Sequence, residues 1–562
     1  MRVTRRAAAA ATAAAMLLLT ACAESERGDG GDDDAGADTN ATLVFGTEGE
    51  IKSLDPTWAS DGVTMRVARQ IFDTLVMLEP GTVNIVGGLA ESWESDETGT
   101  VWTFHLREGV TFHDGTEFNA EAVCFNFDRW HNLPPGVAQN PDMTYYWQVF
   151  SGGFANNEEG RDDLREPNYV SCEAPDPLTA VITLDHPSAT MPGLLVLPCF
   201  AIHSPTALQE YDADAVSGEA DAPEWPPYAT EHPTGTGPFK FESWDQAAQE
   251  VTLVRNDDFW GEPATISRLV FRAIPDENAR RQALSAGEIH GYDFPSPADW
   301  EALEADGMNL EPRDPVNLLY VAFTQESNPA LEDLRVRQAI AHALDRQGMV
   351  DAVMPEGAEV ATQFTPPLLD GWSPDVPTYD YDPDRARQLL ADAGYEEGEL
   401  ELDFYSPTDV TRPYMPNPQA IFDLFVSDLE EVGIVVNQVQ EPWTPEYLSH
   451  VQNGEADLHF LGWTADYPDA YNFIGTWFAG YSPQWGFRDD EFFERMAEAE
   501  SEPDQATRYS LYEQLNAEIM EFLPGVPISH TPPAIVFAPN VTGVPASPLA
   551  DERFNTAQVA SS

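Results

Sequence analysis

Lysine is almost absent from this chain. Lys52 and Lys240 are the only two among 562 residues, and arginine supplies the other basic side chains. Acidic residues number 96 against 28 basic ones, a net charge of −68. A surface this acidic repels phosphate backbones and anionic lipid, which removes nucleic acid as a partner. The charge is spread along the whole chain, the pattern of a solvated surface. No apolar run reaches the ~20 residues that a membrane-spanning helix needs. Nucleophile elbows, His-Glu-x-x-His, phosphate loops and EF-hand loops are all missing. Gly235-Thr-Gly237 lacks the third glycine of a dinucleotide motif and reads as a turn. No Cys-x-x-Cys and no histidine pair with zinc spacing occurs, so neither a metal nor a cofactor is expected. The missing catalytic constellation points to a binding protein. A secreted hydrolase stays open as a different class, because paired carboxylates have no fixed spacing in sequence.

What is present begins at the N-terminus. Arg2, Arg5 and Arg6 precede a run of small and apolar residues from Ala7 to Leu19, followed by Leu19-Thr20-Ala21-Cys22. A basic start, a short apolar segment and small residues at a cut site make a secretory signal over residues 1–21. A cysteine directly after the cut marks the bacterial lipoprotein form, with Cys22 lipidated and anchoring the protein to the outer face of the cell membrane. The alternative is an ordinary signal with a chance cysteine. Residues 22–41 are acidic, Gly-rich and poor in bulky apolar groups, a disordered tether with a reach of about 25 Å.

Three cysteines remain: Cys124, Cys172 and Cys199. Outside the cell they allow one disulfide and one leftover thiol. Cys124 and Cys172 flank a long Gly- and Asn-rich stretch that a bridge would staple. Cys199 sits in an apolar run and suits a buried free thiol.

Strands and helices interleave from Thr42 on. Thr42 to Gly46 reads as a strand, and Met65 to Leu78 as a helix running into a strand. Val101 to Leu106 alternates with period two, and residues 107–116 read as a second short strand with a turn at Asp114-Gly115. Asn119 caps a helix through Arg129. Further helices are expected at 276–287, as one long helix at 334–354, at 382–394 and at 419–432, the last followed by a strand from Ile434 to Val439. The class is α/β.

Several segments resemble the family 5 extracellular solute-binding proteins of ABC importers. They are FDTLVMLEPGTVNIVGGLAESWESDETGTVWTFHLREGVTFHDGTEFNAEAVCFNFDRW, GTGPFKFESW, RNDDFWG, IPDENARRQALSAGEI, VRQAIAHALDR and YDPDRARQLLADAGY, in the family's order. The resemblance covers about residues 42–550. It implies the two-lobed periplasmic-binding-protein (Venus-flytrap) fold with an extra subdomain. Lobe I would hold 42–74, 196–312 and 527–562, the subdomain 75–195 and the other lobe 313–526, with hinge crossings near 312 and 526.

RPYMPNP (412–418) and GWTADYPDAYNF (462–473) resemble the corresponding stretches of dipeptide-binding members. The resemblance implies that Arg412 holds a ligand carboxylate and Asp466 a ligand ammonium, with Tyr414 and Trp463 lining the site. The chemistry is coherent. A guanidinium offers a rigid fork to a carboxylate, and a carboxylate accepts charge-assisted hydrogen bonds from an ammonium. In a closed site without ligand both charges would lose water with nothing to replace it. The implied partners are a short peptide, the transmembrane subunits of an ABC permease and the membrane through the lipid, with the protein a monomer. Within the same family a nickel chelate, an oligosaccharide or an antibiotic is the alternative ligand. The departures are the long stretch 132–171 and the Thr444-Pro445 pair.

Overall fold

The computed structural model describes residues 39–219 and 222–560. The signal segment, Cys22 and all but the end of the tether lie outside these residues. Among the described residues no helix is long and apolar enough to cross a membrane.

Two large sheets form the centres of two lobes. The first has seven strands in the order Phe239–Asp245, Glu250–Arg255, Arg268–Ala273, Thr42–Thr47, Gly291–Asp293, Ala534–Phe537, Asn309–Pro312. Thr42–Thr47 pairs in parallel with both of its neighbours. The second has six strands in the order Glu359–Val360, Gly525–His530, Asn317–Phe323, Leu458–Thr464, Glu401–Pro407, Val435–Glu441. Asn317–Phe323 lies inside it, antiparallel to both neighbours, with all seven residues buried. Burial on both faces explains its unbroken apolar run. A four-stranded sheet, Ala90–Ser95, Val101–Leu106, Thr179–Leu184 and Tyr169–Asp176, forms an additional unit. This is a two-lobed α/β architecture.

The chain leaves the first large sheet after Pro312 and enters the second at Asn317. It returns between His530 and Ala534, beyond the crossing expected near 526. Gly525–His530 pairs with Asn317–Phe323 from Gly525 to Ser529 and so stays in the second lobe. The two crossings are tied together. Asn317 Nδ2 donates to the Thr531 carbonyl at 2.7 Å, and Thr531 N–H donates back to Asn317 Oδ1 at 3.0 Å. Arg313 N–H donates to the Pro533 carbonyl at 2.8 Å.

Helix starts follow their caps. Asn119, Asp276 and Asp382 accept from the backbone N–H three residues on, opening Ala120–His131, Glu277–Ser285 and Pro383–Ala393. Gly394, at φ +99°, closes the last of these. The helix expected at 334–354 is two, Leu334–Ala343 and Arg346–Val353. Leu344 turns extended and Asp345 caps the second by accepting from Gly348 N–H at 2.9 Å. Residues 107–116 form no strand; one isolated bridge joins Thr111 to Glu117. The apolar residues Val110 and Phe112 within this range serve core packing instead, Phe112 lying 6.1 Å from the ring of the following Phe118. The helix placed at the start of 65–78 is Gly62–Ile71, and the strand is Val76–Leu78.

Cys124 and Cys172 form a disulfide between the helix Ala120–His131 and the strand Tyr169–Asp176. It closes the stretch that holds the helix Pro141–Ser151. Cys199 is a buried free thiol. A loop of this size, 48 residues, removes about 4 kcal/mol of unfolded-state entropy. Reduction before denaturant titration is expected to lower the stability of the unit holding Pro141–Ser151 by up to that amount.

Candidate ligand-binding site

A cavity of about 1020 Å³ lies between the lobes. Arg66, Phe294 and Trp300 reach it from the first lobe, and Tyr414, Trp463 and Asp466 from the second. Tyr145 and Tyr146 reach it from the disulfide-closed stretch.

Asp466 follows the strand Leu458–Thr464, and its position is set by Asn472. Asn472 Oδ1 accepts from Asp466 N–H at 2.8 Å and from Trp463 Nε1 at 3.2 Å. One amide oxygen thus orients both residues. Asp469, just before the next helix Tyr471–Phe478, accepts from Tyr471 N–H at 2.8 Å. The Asp466 carboxylate is left to face the cavity. Tyr146 O–H donates to it at 3.0 Å, across 320 residues of chain. Burial pushes the Asp466 carboxyl up to about 6, against hydrogen bonding by Tyr146 and Asn472, which pulls it down. Burial and the Asp466 charge push Tyr145 up to about 12 and Tyr146 well above its ordinary value. Both phenols stay neutral donors.

Arg412 sits in a tight turn. Its N–H donates to the Met415 carbonyl and its carbonyl accepts from Met415 N–H, at 3.1 and 2.8 Å. The guanidinium lies over the Trp443 ring, 5.0 Å from its centroid. Arg412 is exposed and makes no ion pair among the described residues. In this structure Asp466 is largely withdrawn from water and Arg412 is not. Tyr414 is 6 % exposed and packs on Gly462, where a side chain would strike both the Tyr414 ring and the Leu318 carbonyl. That close approach requires glycine.

The first lobe contributes a buried charge cluster beside the cavity. Arg66 Nη1 donates to Glu552 Oε2 at 2.9 Å, and its Nη2 to Asp293. Arg313 Nε donates to Glu552 Oε1 and its Nη1 to Asp293 Oδ1, both at 2.7 Å. Burial pushes the Glu552 carboxyl up, but Arg313 and Arg66 overcome it and hold it down to about 2.

Arg412, Tyr414, Trp463 and Asp466 all line the one cavity. Tyr145, Tyr146, Trp443 and Glu48 join them and were not singled out from the sequence. The signal for the tyrosines was Tyr145-Tyr146-Trp147, an aromatic run inside an otherwise polar stretch. Among the described residues no cluster of His, Cys, Asp and Glu could hold a metal.

The model of bacterial extracellular solute-binding proteins, family 5 (middle), matches residues 84–485. The dipeptide-binding protein of Escherichia coli (strain K12) is 32 % identical over 535 residues, covering 92 % of this chain and 94 % of that protein. Heme-binding protein A of Haemophilus influenzae is 30 % identical, covering 93 % of each. The ABC transporter-associated periplasmic binding protein DppA of Helicobacter pylori, solved with the peptide STSA, matches at a TM-score of 0.70 and 27 % identity. That match covers 93 % of this chain and 98 % of the other. The chain belongs to the bacterial extracellular solute-binding proteins of family 5.

Proposed function

We propose that this protein is the substrate-binding lipoprotein of an ABC importer, capturing short peptides outside the cell and delivering them to a membrane permease. One observation carries the reading. A carboxylate, Asp466, and a guanidinium, Arg412, face one aromatic-walled cavity with no ion pair of their own among the described residues. A peptide zwitterion supplies the missing partner at each end. Tyr414 and Trp463 pack against the backbone between the two ends. The dipeptide-binding relative and the neighbour solved with a peptide support this choice of ligand.

In this reading the lobes close on the ligand about the two crossings at 313–316 and 531–533. Ligand bound between them favours the closed form, which docks on the permease as a monomer. The lipid on Cys22 keeps the protein beside that permease. The protein performs no chemistry on the peptide.

The test is thermal unfolding of the purified protein against di-, tri- and tetrapeptides, sugars, heme and nickel. Ligand at 100 times its dissociation constant adds about 2.7 kcal/mol. Stabilisation by peptides that vanishes when their N-terminus is acetylated supports the Asp466 clamp. A second reading is capture of another solute, and the heme-binding relative at 30 % identity favours keeping it. Under that reading heme or a metal chelate stabilises, peptides do not, and Asp466→Ala leaves affinity intact.

A further inference from the structure

Glu48 follows the strand Thr42–Thr47 and lines, from the first lobe, the same cavity as Asp466 and Arg412. The neighbouring charged groups on that wall have contacts within the protein. Arg66 is held by Asp293 and Glu552, and Arg69 by Asp551. Arg280 spends Nη1 on the carbonyls of Ile274 and Pro275, at 2.7 and 3.0 Å, with its guanidinium 5.6 Å from the centroid of the Tyr292 ring. Glu277 accepts from Ser296 N–H. Glu48 makes no ion pair and no hydrogen bond to another residue's side chain among the described residues, although Arg66 and Arg280 lie near enough to act on it electrostatically. Burial and the neighbouring Asp293 work against its charge, so a cation from outside the protein gains by meeting it.

Once a peptide's two termini sit on Asp466 and Arg412, Glu48 is the remaining cavity carboxylate with no cation paired to it and no contact from another residue's backbone N–H among the described residues. We infer that Glu48 reads a second positive charge on the ligand, so that the preferred ligands are short peptides carrying a lysine or arginine side chain. This rests on the peptide reading above. The net charge of −68 acts in the same direction, since an acidic surface draws cationic ligands toward the cleft.

The experiment is calorimetric titration of the purified protein with Ala-Lys and Lys-Ala against Ala-Gln and Gln-Ala, at two salt concentrations. The native protein is expected to prefer the better-placed lysine peptide by about tenfold or more, the worth of a partly desolvated charge pair. Glu48→Gln brings that ratio close to one, and Glu48→Lys turns the preference toward Ala-Glu or Glu-Ala. Because the readout is a ratio within each variant, a general loss of affinity or stability does not imitate it. A native ratio near one overturns the inference, as does a ratio that Glu48→Gln leaves untouched. In both cases peptide binding still stands. No binding by any peptide overturns both readings.

Discussion

Replacing Asp466 with asparagine is expected to lower peptide affinity at least thirtyfold, measured by calorimetry at pH 7.5. The substitution keeps the shape of the side chain and the hydrogen bond from Tyr146 O–H, so the loss reports charge. Removing one partner of a desolvated charge pair costs about 2–5 kcal/mol, much of it the penalty of leaving the other charge unpaired. Here the stranded group is the peptide ammonium. Acetylated peptides, which lack that ammonium, should bind the native protein and Asp466→Asn equally poorly.

The same carboxyl sets a pH dependence. Burial raises it to about 6 in the protein without ligand, and only its ionised form holds an ammonium. Affinity is therefore flat above about pH 7 and falls about tenfold per unit as pH drops below 6. Tyr145, Tyr146 and Cys199, which face this carboxyl, are all pushed upward and do not titrate in that range. Glu48 shares the cavity and is also raised, so the Asp466→Asn background separates the two contributions. Stability runs the opposite way. A carboxyl raised from its ordinary value contributes stability below pH 4 that is lost as pH rises through 6. At pH 7.5 Asp466→Asn should thus melt higher than the native protein without peptide, by a gain on the order of 2 kcal/mol. Binding and stability moving apart is the signature of a binding charge rather than a structural one.

The local parts of this fold were legible because local chemistry decides them. Asn119, Asp276 and Asp382 each announce a helix with a side chain that bonds three residues ahead, and Val101–Leu106 announces a half-buried strand by alternation. The failures also have local causes. The helix break at Leu344–Asp345 is hidden because the apolar period runs through it, while Asp345 acts as a cap rather than an interior residue. Residues 107–116 place Val110 and Phe112 in the core without a partner strand. The site was only half legible. Asp466 and Arg412 lie in recognisable segments, but Tyr146 meets Asp466 only through the fold, as does Trp443 with Arg412. Nothing in the neighbourhood of Arg66, Asp293, Arg313 or Glu552 foretells that they converge from four distant segments.

That convergence supports the second large prediction. Arg313→Met should cost about 3–5 kcal/mol in denaturant unfolding, because it leaves Glu552 and Asp293 buried with one cation between them. Arg313→Met with Glu552→Met restores the balance, pairing Arg66 with Asp293, and should cost clearly less than the sum of the two single changes. The native cluster also has a defined pH window. Glu552 is held from its ordinary value down to about 2, so its contribution is complete above pH 4.5 and is lost as pH falls through 2. Arg313 stands at the first crossing between the lobes, bonded to Pro533 on the second, and Arg66 lines the cavity. The cluster therefore links the first crossing to the cavity wall. If it serves only the fold, Arg313→Met lowers stability and leaves peptide affinity unchanged at temperatures where the protein stays folded. If it also sets the closing geometry, affinity falls with stability, and the double substitution recovers stability without recovering affinity.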